Sequence, residues 1–535
     1  MAYEFELRRY QFLLKSHLKA GGDAWDIHKA TAELSNAPLV WWQVKSRMEC
    51  NGVKLKQYAL MGCEVEENSN QDSELQHNSD DGEGGDTAYS CDDDEEHDAT
   101  ESDDSDESDS TISIDEDDTT EPVLLNTNAP WSAFLCGLQG SGKSHALSCI
   151  LEGCLMTDRK IGKNPNPLAG IVFHYDPLNG NRVCEAAYLC SSIETRVLVS
   201  ASNYQKLKHS YEEMAKGCGG RIQVQVLDLD SSQLNTERMK MLMAIGKESE
   251  QPLYMSVVVN ILREMAIQSG GSGTFNYRDF TARIAKAGLT DGQLAPLKIR
   301  LDLLESYVDL PPRPTVSKNK KSQITLKEKQ HTPRRGADQA DFLLGKPGTL
   351  TIVDLTDPII DADAACLMFD ICLSIFISQT PCGTIIALDE AHKYMGGQTA
   401  AEAHFTERLL TTIREQRHQG ARVVIATQEP SVDPRLLDLC NVAMVHRCNS
   451  PAWYAVLRQH LAALQGKKEE GEEVLEMIVK LRVGECLLFC PTAAVGVKKG
   501  VGEVVMLGAG FRKFRTRRRV TADGGGSCMA VPEGV

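Results

Sequence analysis

Trp131-Ser-Ala-Phe-Leu-Cys-Gly-Leu-Gln-Gly-Ser-Gly-Lys-Ser-His145 reads as a buried strand, a glycine-rich loop and the start of a helix. Gly137, Gly142, Lys143 and Ser144 complete the pattern G-x-x-x-x-G-K-[ST], in which small residues let successive backbone N–H groups wrap a polyphosphate. Gly137, Gln139, Gly140, Ser141, Gly142, Lys143, Ser144 and His145 are thus the expected nucleotide-binding residues. In this pattern Lys143 reaches the β and γ phosphates and the Ser144 hydroxyl ligates magnesium, so ATP and Mg2+ are the expected ligands. The loop alone does not say what the nucleotide drives.

From residue 124 onward apolar strand-like runs alternate with helical ones. Strands are expected at 132–136, 170–175, 196–200, 222–227, 349–355, 384–388, 422–427, 442–447 and 485–490. Helical runs cover 144–155, 362–378, 400–419 and 451–464. Continuous apolar strands with intervening helices imply an α/β fold, a mostly parallel sheet covered by helices on both faces. Residues 124–510 are read as this P-loop NTPase core. Residues 232–310 interrupt it with helical periodicity, and 311–341 form a basic loop containing Lys318, Lys320, Lys321, Arg334 and Arg335. That loop is read as solvated, with phosphate contact or a nuclear-import signal as alternatives.

Two further stretches carry chemistry. In Thr384-Ile-Ile-Ala-Leu-Asp-Glu-Ala-His392 an apolar strand ends in Asp389 and Glu390. Beside a P-loop the first acid holds magnesium and the second polarises the attacking water. A passive nucleotide binder needs no general base, so the pair points to hydrolysis. In Ile413-Arg-Glu-Gln-Arg-His-Gln-Gly-Ala-Arg-Val-Val-Ile-Ala-Thr-Gln-Glu-Pro430, the strand at 422–427 is expected next to the Asp389 strand, delivering Gln428 to the same sheet edge. There the Gln428 amide senses the γ-phosphate or orients the water, unless it is merely a polar strand end. Arg414, Arg417 and Arg447 are expected near this edge as candidate arginine fingers, in cis or from a neighbouring subunit.

The combination GLQGSGKS, IIALDEAH and RVVIATQEPSVDPRLLDLCNVAMVHR resembles the HerA/FtsK group of P-loop ATPases, and most closely HerA-like DNA translocases and helicases. Thr427, Gln428, Pro430, Cys440, Asn441 and Arg447 match that group's pattern after the acidic strand, and the likeness spans roughly residues 124 to 510. It implies a RecA/ASCE-like core assembled as a ring hexamer, nucleotide sites at subunit interfaces and DNA in the central pore. HerA-like translocases commonly begin with a small β-barrel that helps bind a nuclease. This chain begins differently, so a nuclease or other protein partner is left open.

Composition bounds the partners. The formal charge is −18, but residues 64 to 121 carry 26 Asp and Glu and no Lys or Arg. Taking them out leaves 49 acids against 57 bases, so the remainder is basic and the low isoelectric point misleads about what it binds. The acidic segment 63–123 is rich in Ser and Asp and reads as a solvated linker. A DNA mimic, or phosphorylation at Ser102, Ser105 and Ser108, are the sharper alternatives. Residues 1–62 read as a small appendage with a helical stretch at 10–34 and strand-like runs at 39–44 and 53–61.

At the other end, Gly510-Phe-Arg-Lys-Phe-Arg-Thr-Arg-Arg-Arg519 opens a basic tail, 511–535, suited to nucleic acid, a neighbouring subunit or solvent. The 17 cysteines lack C-x-x-C pairs and read as reduced and buried. No run is read as approaching the eighteen or so apolar residues that cross a bilayer, and no signal peptide is visible. A soluble, intracellular protein without a membrane partner is expected, cytoplasmic or nuclear. The leading reading is an ATP-driven DNA motor. The alternative is an ATP-dependent switch or scaffold acting on proteins, with the acidic tract as docking segment.

Overall fold

A computed structural model describes residues 34–65, 121–308 and 341–524, apart from short stretches within them. The helical stretch expected at 10–34 lies almost wholly outside these residues, as do most of the acidic segment, the basic loop and the end of the C-terminal segment.

The first strands are β1 (Leu39–Trp41), β2 (Tyr58–Glu64), β3 (Pro122–Leu125), β4 (Ser132–Cys136) and β5 (Gly162–Lys163). Next come β6 (Ala169–His174), β7 (Glu194–Val199), β8 (Ile222–Val226), β9 (Thr349–Asp354), β10 (Thr384–Leu388) and β11 (Ala421–Thr427). The last are β12 (Val442–His446), β13 (Glu485–Phe489), β14 (Ala494–Val497), β15 (Val504–Met506) and β16 (Arg512–Thr516). The helices begin with α1 (Trp42–Cys50), α2 (Lys143–Leu155), α3 (Tyr204–Gly217), α4 (Thr236–Met243), α5 (Tyr254–Gln268), α6 (Tyr277–Lys286) and α7 (Asp291–Tyr307). They continue with α8 (Ala362–Gln379), α9 (Ala400–Arg414), α10 (Gln416–Gln419), α11 (Pro434–Leu439), α12 (Pro451–His460) and α13 (Lys468–Lys480).

The expected α/β architecture is present. Eight strands run parallel in the order β12-β4-β11-β10-β6-β9-β7-β8. β4, β6, β9, β10, β11 and β12 are buried at every position, as strands covered on both faces must be. Side-chain alternation divides them between two cores. Phe134, Val423, Ile425, Ile386 and Leu388 face one, which takes in α8, α9, α12 and the inserted helices. Ala133, Leu135, Val424, Ala426, Ile385 and Ala387 face the other, which takes in α2 and α3.

Local sequence sets the helix ends. Thr399 accepts from the Glu402 amide while the Glu402 carboxylate accepts from the Thr399 amide, a capping box that starts α9. Ser450 caps α12 with Pro451 in its first turn, and Gly420, at φ 61°, ends α10 and turns the chain into β11. Between β8 and β9 lie α4, α5, α6 and α7, and α4 docks on α8 through Arg238, which donates to Ser374 and Ser378.

Three expectations change. The run 39–44 is strand only to Trp41, after which α1 begins, because Leu39, Val40 and Trp41 are all buried in the sheet whereas Trp42 starts a half-exposed helix. The segment read as a basic tail supplies β16, which pairs antiparallel with β13 and β2; Phe514 is buried, so the segment has an apolar anchor that its charge count concealed. Chain ends thereby widen the sheet, with β13, β16, β2, β3, β1, β14 and β15 following β12 in that order. Finally, α8 is long and apolar enough by length and composition to cross a membrane, contrary to the reading that no run approaches this. Its residues Ala365 to Leu373 are buried in the core between sheet and insertion, which accounts for its composition. All 15 described cysteines are free.

Candidate nucleotide site

The loop between β4 and α2 is shaped by its glycines. Gly137, Gly140 and Gly142 have φ of 146°, 73° and 103°, a region that side chains disfavour. Two are also sterically required: a Cβ on Gly137 would stand 2.8 Å from the His446 Cβ, and one on Gly142 would stand 2.8 Å from the Gly484 amide nitrogen. The cradle is pinned from β12, where the Arg447 carbonyl accepts from the Leu138 amide at 2.9 Å, and from β13, where the Gly484 amide donates to the Ser141 carbonyl at 3.2 Å. His446 is fully buried, its Nδ1 donating to the Glu485 carbonyl at 3.1 Å, and burial with the Lys143 charge pushes its pKa to about 3.

Lys143 donates from Nζ to the Leu138 carbonyl at 2.8 Å, across its own loop. Burial pushes its ammonium pKa down, while Glu390, Cys136 and Asp389 pull it up, which places both acids within electrostatic reach of the loop. Ser144 follows on the first turn of α2, half-buried. Gln139 and Gly140 are exposed at the tip. His145 turns elsewhere: its Nε2 lies 2.8 Å from the Arg517 carbonyl and its Nδ1 3.6 Å from Asp523 Oδ2, so the structure joins it to the C-terminal segment.

Strand order delivers the rest. β11 lies between β4 and β10, and since all three are parallel their C-terminal ends share one edge. At that edge Asp389 and Glu390 follow β10, and Gln428 follows β11. Gln428 donates from Nε2 to Glu390 Oε2, donates from its amide to His392 Nδ1 at 3.4 Å, and accepts at its carbonyl from Trp453 Nε1 at 2.9 Å. Glu390 has φ 50° and ψ 44°, the one non-glycine residue with positive φ among those described, a strained conformation of the kind that collects at functional sites. Burial, and then the Asp389 charge, raise its pKa.

Asp389 is buried with its Oδ2 3.3 Å from His174 Nδ1. Burial alone would raise its pKa, yet the His174 contact, with Lys393 and Lys143 beyond, holds it below the usual aspartate value. Its Oδ1 is buried and has no hydrogen-bond partner. A carboxylate oxygen left unpaired beside a glycine cradle fits a hard divalent cation with phosphate, so Asp389 and Ser144 fit Mg2+.

The candidate arginines separate. Arg447 follows β12 at the same C-terminal edge, half-buried. Arg414 and Arg417 are exposed and precede β11, at the opposite end of that strand. This corrects their expected placement near Gln428: β11 is seven residues long, which puts roughly 20 Å of strand between them. Their neighbour Gln416 donates to Asn441, whose side chain also accepts from the Ser132 amide at the start of β4, marking the far edge.

His174, Cys184, Lys393, Asp176 and Trp453 also stand at this edge and belong to no motif in the sequence. Lys393 pairs with Asp176 at 3.0 Å just beyond the β6 and β10 ends. The available signal was His174 ending an otherwise apolar strand; Cys184 and Trp453 gave none.

This fold and this edge define a P-loop NTPase architecture. No family model and no curated protein sequence matches the chain. Among solved structures it is similar to VirB4 of Thermoanaerobacter pseudethanolicus, at 12% identity over 74% of this chain and 91% of that one, with a TM-score of 0.42. It is similar to B204, the DNA-packaging ATPase from Sulfolobus turreted icosahedral virus, at 13% identity over 28% of this chain and 64% of that one, TM-score 0.21. It is also similar to the cytoplasmic domain of the Thermomonospora curvata type VII secretion ATPase EccC, at 12% identity over 74% of this chain and 27% of that one, TM-score 0.25. The class rests on the strand order and edge geometry of the chain itself.

Proposed function

We propose that the chain is an ATP-hydrolysing motor of the HerA/FtsK kind, a DNA translocase or helicase that works as a ring oligomer. The observation that carries this reading is the meeting of the Gly137–Ser144 loop, the Asp389–Glu390 pair and Gln428 at one edge of a parallel sheet. Glu390 is the base that takes a proton from the attacking water, and Gln428 fixes its carboxylate. Lys143 neutralises charge on the β and γ phosphates. Mg2+, held by Ser144 and Asp389, supplies charge neutralisation on the phosphate oxygens when bound. Arg447 is the candidate finger from the same chain, whereas Arg414 and Arg417 serve a site only across a subunit interface.

DNA is the favoured track because the chain outside residues 64–121 carries 57 bases against 49 acids. Electrophoretic binding over a salt series, with particle mass measured with and without ATP and DNA, tests the reading. Steeply salt-dependent binding and a nucleotide-dependent ring are expected. A monomer under all conditions, or no DNA binding at low salt, rejects the motor and favours a switch acting on proteins.

A further inference from the structure

At the C-terminal ends of β6 and β10 lies a cluster that the proposed chemistry does not use in full. His174 ends β6, Asp389 follows β10, and Cys184 precedes the short 3-10 helix Glu185–Ser191. One ligand atom from each lies within 4.8 Å of the others, and all three residues are buried. His174 Nδ1 is 3.3 Å from Asp389 Oδ2, and the Cys184 thiol donates to the same oxygen at 3.8 Å. We propose that His174, Cys184 and Asp389 form a binding site for a thiophilic divalent cation, zinc being the one it suits, and that its occupation withdraws Asp389 from the nucleotide site. The second half rests on reading Asp389 as a magnesium ligand; the first does not.

Geometry and donor chemistry support the site separately. Ligand bonds of about 2.0–2.3 Å in tetrahedral array put donor atoms roughly 3.3–3.8 Å apart, the spacing already present around Asp389 Oδ2. One nitrogen, one sulfur and one oxygen suit zinc and its neighbours, whereas magnesium requires oxygen. Both ring nitrogens of His174 are buried without an aligned hydrogen-bond partner, so the imidazole has unmet polar capacity beside Asp389 Oδ2.

The frame is rigid. β6 and β10 are hydrogen-bonded neighbours with Phe173 opposite Leu388, and the Cys184 amide donates to the Tyr211 hydroxyl, which in turn donates to Asp354. Binding exchanges protons for metal: the thiol proton, and that of a protonated His174, pass to solvent as the Zn–S and Zn–N bonds form, with no change of oxidation state.

The test uses the full chain without an affinity tag and begins without nucleotide. X-ray absorption on the zinc-loaded wild type is expected to show one sulfur among nitrogen and oxygen ligands. A shell with no sulfur, or with two or more, overturns the site, and this reading requires no variant to fold. Cys184→Ser and His174→Gln are each expected to weaken zinc binding by about tenfold or more. Wild-type affinity in a folded Cys184→Ser protein overturns it. Zinc is then expected to inhibit Mg-ATP hydrolysis by the wild type, with Cys184→Ser needing about tenfold more for the same inhibition. Zinc bound through one sulfur without effect on hydrolysis overturns the coupling to Asp389. A chain that hydrolyses no ATP at all fails the P-loop reading instead, since the binding measurements are made without nucleotide.

Discussion

The Gln428 carboxamide donates to the Glu390 carboxylate from the end of β11 to the end of the adjacent strand β10. Glu390 reaches that position in a left-handed backbone conformation otherwise taken only by glycines among the described residues. The residue placed as general base is thus held at both ends, by a strained backbone and by a neighbouring strand's amide.

Glu390→Gln keeps the shape of the side chain and removes its basicity. Hydrolysis is expected to fall by about two to four orders of magnitude while ATP still binds. Single-turnover hydrolysis beside nucleotide binding at equilibrium checks this, and wild-type-like turnover would refute the base assignment.

Lys143→Ala removes the ammonium that crosses the loop and feels both acids. Loss of both hydrolysis and tight Mg-ATP binding is expected, by the same two assays. Unaltered affinity would exclude phosphate contact by Lys143.

Gln428→Ala takes away the amide that fixes Glu390 but leaves the base in place. A smaller drop in turnover is expected than for Glu390→Gln, about tenfold to a hundredfold, with little change in ATP affinity. Equal losses in the two variants would instead give Gln428 a direct part in the chemistry.

Gly142→Ala sets a Cβ against the Gly484 amide at a φ of 103°. A destabilisation of about 1–3 kcal/mol with weakened nucleotide binding is expected, read by denaturant unfolding and ATP titration. The same substitution at Gly140, whose Cβ meets nothing within 4 Å although φ is 73°, is expected to cost less.

Arg517→Ala tests the C-terminal segment. Glu152 of the P-loop helix α2 is fully buried and accepts from Arg517 at 2.6 Å, from the Thr521 hydroxyl at 2.6 Å and from the Val520 and Thr521 amides. Removing the guanidinium leaves a buried carboxylate without its countercharge, and a loss of roughly 3 kcal/mol is expected in denaturant unfolding. A change within a few tenths of a kcal/mol would show the backbone amides and Thr521 to suffice.

The parallel core was legible because its strands announce themselves. Runs such as Thr384–Leu388 and Ala421–Thr427 are buried on both faces, so apolar continuity alone marks them, and the observed ends fall within two residues of those expected. The glycine-rich loop was legible because its turns need positive φ at set intervals, a constraint local in sequence. The edge strands were not. β16 is five residues long with four of them Arg, Lys or Thr, and only Phe514 and Thr516 are buried; its partners β13 and β2 lie far away in sequence. Charge composition therefore outweighed pairing in the reading of residues 511–519.

By itself the sequence determined the class of fold and located the glycine-rich loop after β4 and the acidic pair after β10, since each depends on periodicity or spacing within a few residues. Only the tertiary structure decided which side chains share the edge. It brought Gln428 onto Glu390, sent Arg414 and Arg417 to the far end of β11, turned His145 toward Arg517, and set His174 and Cys184 against Asp389. The reason is that strand order and crossover direction are settled by packing the whole sheet, so neighbours in space at a sheet edge are separated by tens to hundreds of residues in the chain.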